Sequence, residues 1–143
     1  MDKLFSDLTF LNIDILLPHE THFPQKAEQI LNRLEREKLY QLSPILIDKD
    51  SKVIIDGHHR FEALKKYGAK EIPCILCNYS DPRIIVFERE IGGKNIDKQE
   101  IISNAKKHNL YPQKFTCHAV QNKEGEFIHI SKVINHVSLK LDE

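Results

Sequence analysis

Tryptophan is absent from this 143-residue sequence, methionine occurs once, cysteine three times and glycine five times, and the chain has no net charge. The balance of 21 basic and 21 acidic side chains excludes the strongly basic surface of a nucleic-acid coat protein, and it excludes an acidic tail. No apolar run approaches the roughly 20 residues of a membrane-spanning helix. The opening residues MDKLFSDLTF carry two acidic side chains and no continuous apolar stretch, which is not the pattern of a secretory signal.

Hydrophobic side chains make up 41% of the sequence, which is enough for one buried core at this length. Domains typically contain roughly 100–200 residues, so the length fits a single unit. We therefore expect one domain over residues 1–143, in a cytoplasmic protein without membrane contact.

The three cysteines cannot all pair within one chain. Cys74 and Cys77 form a C-x-x-C in the apolar run IPCILC, which is typical of a strand, and residues three apart in a strand point to opposite faces. A redox C-x-x-C needs a helix N-terminus to activate its thiolate, and a zinc site needs a second ligand pair, for which only Cys117–His118 is available. We expect buried structural cysteines.

Hydrophobic periodicity and turn residues predict a mixture of strands and helices. The predicted strands are Ile13–Leu17 before Pro18, Pro44–Asp48, Val53–Asp56, Ile72–Tyr79, Ile84–Glu88 and one or two in the tail from Phe127. The predicted helices are Phe23 to about Leu39, Arg60–Tyr67 before Gly68, and Lys98–His108 after the capping residue Asp97, with a break at Gly92–Gly93. The polar residues KDSK predict a hairpin between the second and third strands, and the whole pattern favours an α+β fold with a mixed β-sheet flanked by helices.

The segment Asp56-Gly57-His58-His59-Arg60 is the most informative part of the sequence, because it joins a buried strand to the first turn of a helix. The first N–H groups of a helix have no partner within the helix, and the helix dipole makes that end electropositive. Gly57 allows an anion to approach the backbone, and the two histidines and Arg60 can add donors. This pattern indicates a phosphate-binding turn, at whose edge Asp56 can hold Mg²⁺ that bridges phosphate oxygens.

A second interpretation fits these five residues equally well when they are taken alone. Asp56 would then be an ordinary N-cap, and the basic side chains that follow it would simply be solvated.

The string D-G-H-H-R-x-x-A-L resembles the signature of the ParB/sulfiredoxin-like superfamily, whose members place this turn against the phosphates of a bound nucleotide. Sulfiredoxins have a cysteine just before the His-Arg pair, where this chain has His58. Partition proteins have a Gly-Glu-Arg-Arg type of turn instead. The resemblance therefore implies the superfamily's fold, but neither sulfinic acid reduction nor DNA partition.

Three separate segments resemble the branch that contains free L-serine kinases, which make O-phosphoserine from serine and a nucleotide. Leu17–Glu20 is similar to the His-Glu segment of that branch, Asp56–Arg60 to its nucleotide and metal turn, and Tyr111–His118 to its Pro-x-Lys-Thr-Thr-Arg-His segment. The tail VINHVSLKL also resembles the closing strand of the family. Where the family has Lys-Thr-Thr-Arg-His, this chain has KFTCH, with one hydroxyl and one guanidinium fewer.

The resemblance implies a phosphotransferase that uses Mg²⁺ and ATP or ADP, with the hydroxyl of free serine as acceptor. In that case Glu20 acts on the acceptor hydroxyl, and Asp56 holds the metal. The backbone at Gly57–His59, with the His59 and Arg60 side chains, binds the nucleotide phosphates. The acceptor is held by Lys114, Thr116 and His118.

Two alternatives remain at this stage. The chain can be a regulatory module that keeps the phosphate turn, does no chemistry and contacts DNA or a protein, although zero net charge and the lack of a recognisable helix-turn-helix argue against DNA. It can also be a related kinase with another small alcohol as acceptor. The other histidines have no spacing that indicates a metal site, and we expect them to be structural or exposed; they are His19, His22, His108, His129 and His136.

Overall fold

The computed structural model describes residues 4–36, 43–90 and 93–133. The strands are β1 (Phe5–Asn12), β2 (Ile45–Asp48), β3 (Ile54–Asp56), β4 (Glu71–Cys77), β5 (Ile84–Glu88), β6 (Thr116–Gln121) and β7 (Phe127–His129). The helices are α1 (Pro24–Arg36), α2 (His58–Tyr67) and α3 (Lys98–Lys106), with a short 3-10 helix over Ile13–Ile15. The described helices are each too short or too polar to cross a membrane.

The first sheet is mixed and has the strand order β1-β4-β2-β3. β4 pairs antiparallel with β1 and parallel with β2, and β2 pairs antiparallel with β3. All four residues of β2 are buried, because this central strand is covered on both faces. The second sheet is antiparallel and has the order β5-β6-β7.

The core consists of two apolar clusters on the two faces of the mixed sheet. Ile45 and Ile47 of β2 belong to the cluster that contains Leu34 of α1 and residues of α2, whereas Leu46 belongs to the cluster of α3 and the second sheet. This alternation follows from the two-residue period of a strand. The C-x-x-C behaves in the same way, because Cys74 and Cys77 lie in different clusters. Both are free and buried, as the sequence predicted.

Most of the predicted elements are confirmed with small changes at their ends. The mixed α+β class is confirmed, and so is the β2–β3 hairpin. Helix α2 stops at Gly68, whose φ of 90° lies in the left-handed region, and Asp97 caps α3 by accepting a hydrogen bond from the backbone N–H of Gln99.

The prediction of a strand at Ile13–Leu17 is wrong. The first strand lies earlier, over Phe5–Asn12, and the side chain of Asn12 accepts a hydrogen bond from Asp14 N–H to start the 3-10 helix. The sequence predicted no strand at the positions of β1 and β6. The tail predicted as strand from Phe127 is a strand only over Phe127–His129, because residues 130–133 are helical. The end of the first helix near Leu39, Gly92, His136 and the tail beyond residue 133 lie outside the described residues.

Candidate active site

The structure gathers most of the residues that the sequence singled out around one cavity of about 320 Å³. Its lining contains Glu20, Asp56, Gly57, His58, His59, Arg60 and Lys114, together with Ile30 and Arg89. A larger cavity of about 630 Å³ lies beside the β2–β3 turn and α3, and it contains none of the predicted site residues. The chemistry of the lining, and not the volume, therefore identifies the smaller cavity as the candidate site.

The turn that the sequence predicts to bind phosphate lies at the junction of β3 and α2. Gly57 occupies the N-cap position with φ 110° and ψ 28°, and no side chain in the described residues caps the helix there. A Cβ at this position would lie 2.9 Å from Arg60 Nη2 and 3.2 Å from Ile45 Cγ1. Asp56 forms an ion pair of 3.2 Å with Arg60 instead of capping the helix, so the interpretation of Asp56 as an N-cap is wrong.

The paired histidines bind the segment that carries Glu20. His58 is 8% exposed, and its Nε2 accepts hydrogen bonds from the backbone N–H of His19 at 3.1 Å and of Glu20 at 3.3 Å. His59 Nε2 accepts the backbone N–H of Phe23 at 2.9 Å, and its ring stacks on the Phe23 ring. Burial lowers the pKa of both histidines, which keeps the accepting nitrogens free of a proton.

This geometry corrects part of the expected role of the two histidines. The Nε2 of His58 is used as an acceptor, so of this ring only Nδ1 carries a proton to donate. His59 Nε2 is also used as an acceptor, which leaves only Nδ1 of a neutral ring to donate. The donors that the turn offers to an anion are therefore mainly its backbone N–H groups and the Arg60 guanidinium.

Glu20 lies against the start of β6. Its Oε2 accepts the backbone N–H of Thr116 at 2.7 Å and also contacts the Thr116 hydroxyl. Burial raises the pKa of Glu20, and the hydrogen bonds from Thr116 and the nearby charge of Arg89 oppose that rise. A carboxyl group with a raised pKa on the wall of a cavity is suited to take up a proton from a bound hydroxyl.

Thr116 and His118 do not occupy the positions expected of residues that hold an acceptor. Neither lines the cavity, and both are buried, at 5% and 4% exposure. His118 Nε2 lies 2.8 Å from the Tyr79 hydroxyl, and burial lowers its pKa well below the usual value. We therefore assign His118 to the core beneath the site.

Arg89 is a cavity residue that the sequence did not indicate. Its Nε donates to the Lys114 carbonyl at 2.9 Å and its Nη2 donates to the Thr116 carbonyl at 3.2 Å. The register of the second sheet explains its position, because Glu88 pairs with Thr116 and brings the next residue beside the start of β6. The place of Arg89 in the cavity follows only from the pairing of β5 with β6, which are far apart in sequence.

Positive charge is concentrated at this cavity. Lys114 and Arg89 form one side, Arg60 lies at the turn, and Lys26 of α1 approaches Lys114. The neighbouring Lys114 ammonium lowers the pKa of Lys26, as expected when two cations are close together. Such a cluster favours a ligand with several negative charges.

The described residues contain no group of three or more His, Cys, Asp or Glu side chains that could hold a metal ion by themselves. Mg²⁺ is usually held by one or two carboxylates together with phosphate oxygens and water. Asp56, which is part-exposed at the cavity, fits that kind of ligand.

Comparison with known proteins links this chain to small kinases and ParB-like proteins. It is 31% identical over 78 residues to an ATP-dependent L-serine kinase of Staphylothermus marinus, a match that covers 52% of this chain and 31% of that protein. It is 29% identical over 108 residues to the ADP-dependent L-serine kinase SerK of Thermococcus kodakarensis, covering 73% and 44%. It is 34% identical over 73 residues to a ParB-like protein of Sulfolobus acidocaldarius, covering 51% and 36%.

Solved structures share the fold. A free serine kinase in complex with AMP matches with a TM-score of 0.53 and 23% identity, covering 82% of this chain and 47% of that one. SbnI with a C-terminal truncation, from Staphylococcus aureus, matches with a TM-score of 0.63 and 13% identity over 95% of this chain and 96% of that one. No family model matches the chain. The chain spans less than half the length of each of the three relatives named above.

The mixed sheet with the Asp-Gly-His-His-Arg turn at a helix N-terminus belongs to a fold that this chain shares with these solved structures, so the expected fold class is confirmed. The relatives named above are L-serine kinases and a ParB-like protein, so the resemblance that the motifs predicted is confirmed as a similarity over part of this chain.

Proposed function

We propose that this protein is a serine kinase-like phosphotransferase that moves a phosphoryl group from ATP or ADP to the hydroxyl of free serine. The observation that supports the proposal best is the convergence on one cavity of a carboxyl group with a raised pKa, Glu20, and the anion-binding turn at Gly57. The names of the relatives support the choice of serine and of an adenine nucleotide.

In the proposed reaction, the acceptor hydroxyl oxygen forms a bond to the terminal phosphorus while the bond from that phosphorus to the nucleotide oxygen breaks. Glu20 takes the hydroxyl proton. The backbone N–H groups of the first turn of α2 and the Arg60 guanidinium hold the phosphates, because the helix dipole and the fixed charge both favour anions there. Phosphoryl transfer depends mainly on such positioning and charge stabilisation.

Asp56 would hold Mg²⁺ in the occupied site. When bound, the ion neutralises charge that builds up on the transferred phosphoryl group. The Arg60 ion pair fixes the carboxylate of Asp56 on the cavity side of the turn.

We assign the acceptor carboxylate to Lys114 and Arg89. Cys117 stands where the related segment has an arginine, and Arg89, which is bonded to the Lys114 carbonyl, supplies a guanidinium to the cavity lining. Two of its N–H groups are already bonded to the carbonyls of Lys114 and Thr116, which fixes its plane and leaves the other donors for a ligand.

Incubation with Mg²⁺, either nucleotide and a panel of free amino acids, followed by phosphorus NMR of the products, tests the proposal. We expect O-phosphoserine as the product. A panel in which neither nucleotide phosphorylates serine would refute it.

The role of Glu20 is tested by Glu20→Gln, with Glu124→Gln as the control because Glu124 is exposed in the β6–β7 turn. Glu20→Gln should lower kcat by at least 100-fold, the range typical for removal of a general base, while the affinity for nucleotide changes little. Glu124→Gln should behave as the wild type. Normal phosphorylation of serine by the Glu20→Gln protein would show that another group takes the proton.

The second candidate function is that of a non-catalytic regulatory module, which the similarity to a ParB-like protein supports. Binding of nucleotide without any transfer, combined with salt-dependent retention on DNA, would favour that function instead.

A further inference from the structure

The Thr116 hydroxyl lies between two buried partners. On one side it contacts Glu20 Oε2, and on the other it lies 3.0 Å from His19 Nε2. His19 is fully buried and Thr116 is 5% exposed, so water does not compete for these contacts. Neither residue is part of the cavity wall that would touch phosphate or acceptor.

The direction of these hydrogen bonds follows from the other nitrogen of His19. Its Nδ1 lies 2.6 Å from the carbonyl oxygen of Ile54, which can only accept, so Nδ1 must carry the proton. Burial lowers the pKa of His19 to about 4, and the ring is therefore neutral. Its Nε2 can then only accept a hydrogen bond, and the Thr116 hydroxyl is the donor that faces it.

The Thr116 hydroxyl has one proton and two acceptors, Glu20 Oε2 and His19 Nε2, so it has two possible hydrogen-bonded orientations. When Glu20 is ionised, the carboxylate is the stronger acceptor and attracts the hydroxyl proton. When Glu20 is protonated, its carboxyl oxygen is a weak acceptor, and the basic imidazole nitrogen of His19 becomes the better one. The backbone N–H of Thr116 holds Oε2 in both orientations.

We propose that Thr116 is a positioning residue for Glu20, and that its hydroxyl turns from the carboxylate to His19 when Glu20 takes up the acceptor proton. The inference rests on the proposed function. It replaces the expectation that Thr116 holds the acceptor, and it gives His19 a role. The step moves one proton, from the acceptor hydroxyl to Glu20, while the O–H bond of Thr116 rotates and stays intact.

The charged and titratable groups around this network come from several elements. Those around Glu20 are Arg89 just after β5, Lys114 from the loop before β6, Cys117 of β6, and Asp56, His58, His59 and Arg60 from the α2 turn. Lys26 of α1 approaches Lys114 and Arg89. Those that face His19 are His58, His118 and Tyr111. Removal of the Thr116 hydroxyl leaves all of them in place, so a change in titration reports the hydroxyl itself.

The test compares the pH dependence of kcat/KM for Thr116→Val and Thr116→Ser. Valine has nearly the same shape but no hydroxyl, so the Glu20 carboxylate loses a donor and the acid limb of the profile should move to higher pH by about one unit. Serine keeps the hydroxyl and should restore the wild-type limb. Thr21→Val is the matched control, because Thr21 follows Glu20 in the chain and its hydroxyl donates to the Tyr111 carbonyl.

An unchanged acid limb in Thr116→Val, or an equal shift in Thr116→Ser or Thr21→Val, would overturn the inference. Thermal unfolding of each variant shows that the compared proteins are folded. A second measurement does not depend on turnover. The titration of Glu20 is followed by carbon NMR of protein with labelled glutamate carboxyls, and the Glu20 signal is assigned by its loss in Glu20→Gln.

The NMR titration separates this inference from the proposed function. The Glu20 signal should titrate at higher pH in Thr116→Val than in Thr116→Ser or the wild type. If the wild type transfers no phosphoryl group, the proposed function fails, whereas the hydrogen-bond coupling of Glu20 and Thr116 stands or falls on the titration alone.

Discussion

Gly57→Ala is the substitution that tests most directly whether the α2 turn binds phosphate. Gly57 has φ 110°, and a side chain in left-handed backbone costs roughly 1–2 kcal/mol. The new methyl group would also lie 2.9 Å from Arg60 Nη2 and 3.2 Å from Ile45 Cγ1. Arg60 would have to leave Asp56, and the methyl group would occupy the space over the helix N-terminus.

Gly68→Ala provides a matched control at the other end of the same helix. Gly68 has φ 90°, and a Cβ there would have no heavy atom within 4 Å. Both substitutions should therefore cost the backbone term, which corresponds to a fall in Tm of roughly 3–8 °C for a chain of this size. Only the Gly57 variant should also move Arg60 and block the amide groups.

Titration calorimetry with ADP and Mg²⁺, together with thermal unfolding, measures both effects. We expect Gly57→Ala to weaken ADP binding by at least tenfold, equivalent to about 1.4 kcal/mol, and Gly68→Ala to leave it unchanged. ADP affinity that is unaltered in Gly57→Ala, or equally reduced in Gly68→Ala, would refute the assignment of the turn.

Two further predictions concern the buried histidines and the thiols. Burial lowers the pKa values of His19, His58 and His118 below 6.5. As the pH falls below 6.5, the unfolded chain therefore binds protons that the folded chain does not. The free energy of unfolding should then decrease by up to about 1.4 kcal/mol per pH unit for each histidine. For His19 this loss continues to about pH 4, and urea unfolding curves with equal midpoints at pH 7.5 and 5.0 would contradict the reasoning. Burial also raises the pKa of all three thiols, that of Cys74 to about 12, but only Cys117 is part-exposed. A thiol reagent should therefore label one cysteine faster than the others in the native protein, and all three after unfolding. Rapid labelling that persists in Cys117→Ser would show that the C-x-x-C is accessible.

Local patterns were sufficient to predict the elements around the α2 turn. β2 and β3 are short apolar runs on either side of polar turn residues, and α2 ends at a glycine, so each boundary has its own signal in the sequence. β1 lacks such a signal, because none of its eight residues is fully buried and its apolar positions do not alternate strictly.

The site depends on contacts that no local pattern reveals. Glu20 and Thr116 are 96 positions apart, and the pairing of Tyr79 with His118 spans 39. The family resemblance supplied most of the cavity residues, but it could not show that the Thr116 hydroxyl faces Glu20 and His19, or that Arg89 lines the cavity. Those facts follow from the strand register of the second sheet and from how the 19–23 segment lies on the α2 turn.

The walls of the cavity are braced against one another by these long-range hydrogen bonds. His58 ties the backbone at Glu20 to the α2 turn, Glu20 ties the same segment to β6, and Arg89 joins β5 to the residues before β6. Substitutions in different walls should therefore give non-additive effects in double-mutant cycles, even where the two side chains never touch. A change of acceptor preference would accordingly need coordinated replacements in several segments, since loosening a single wall would disturb the alignment of the others.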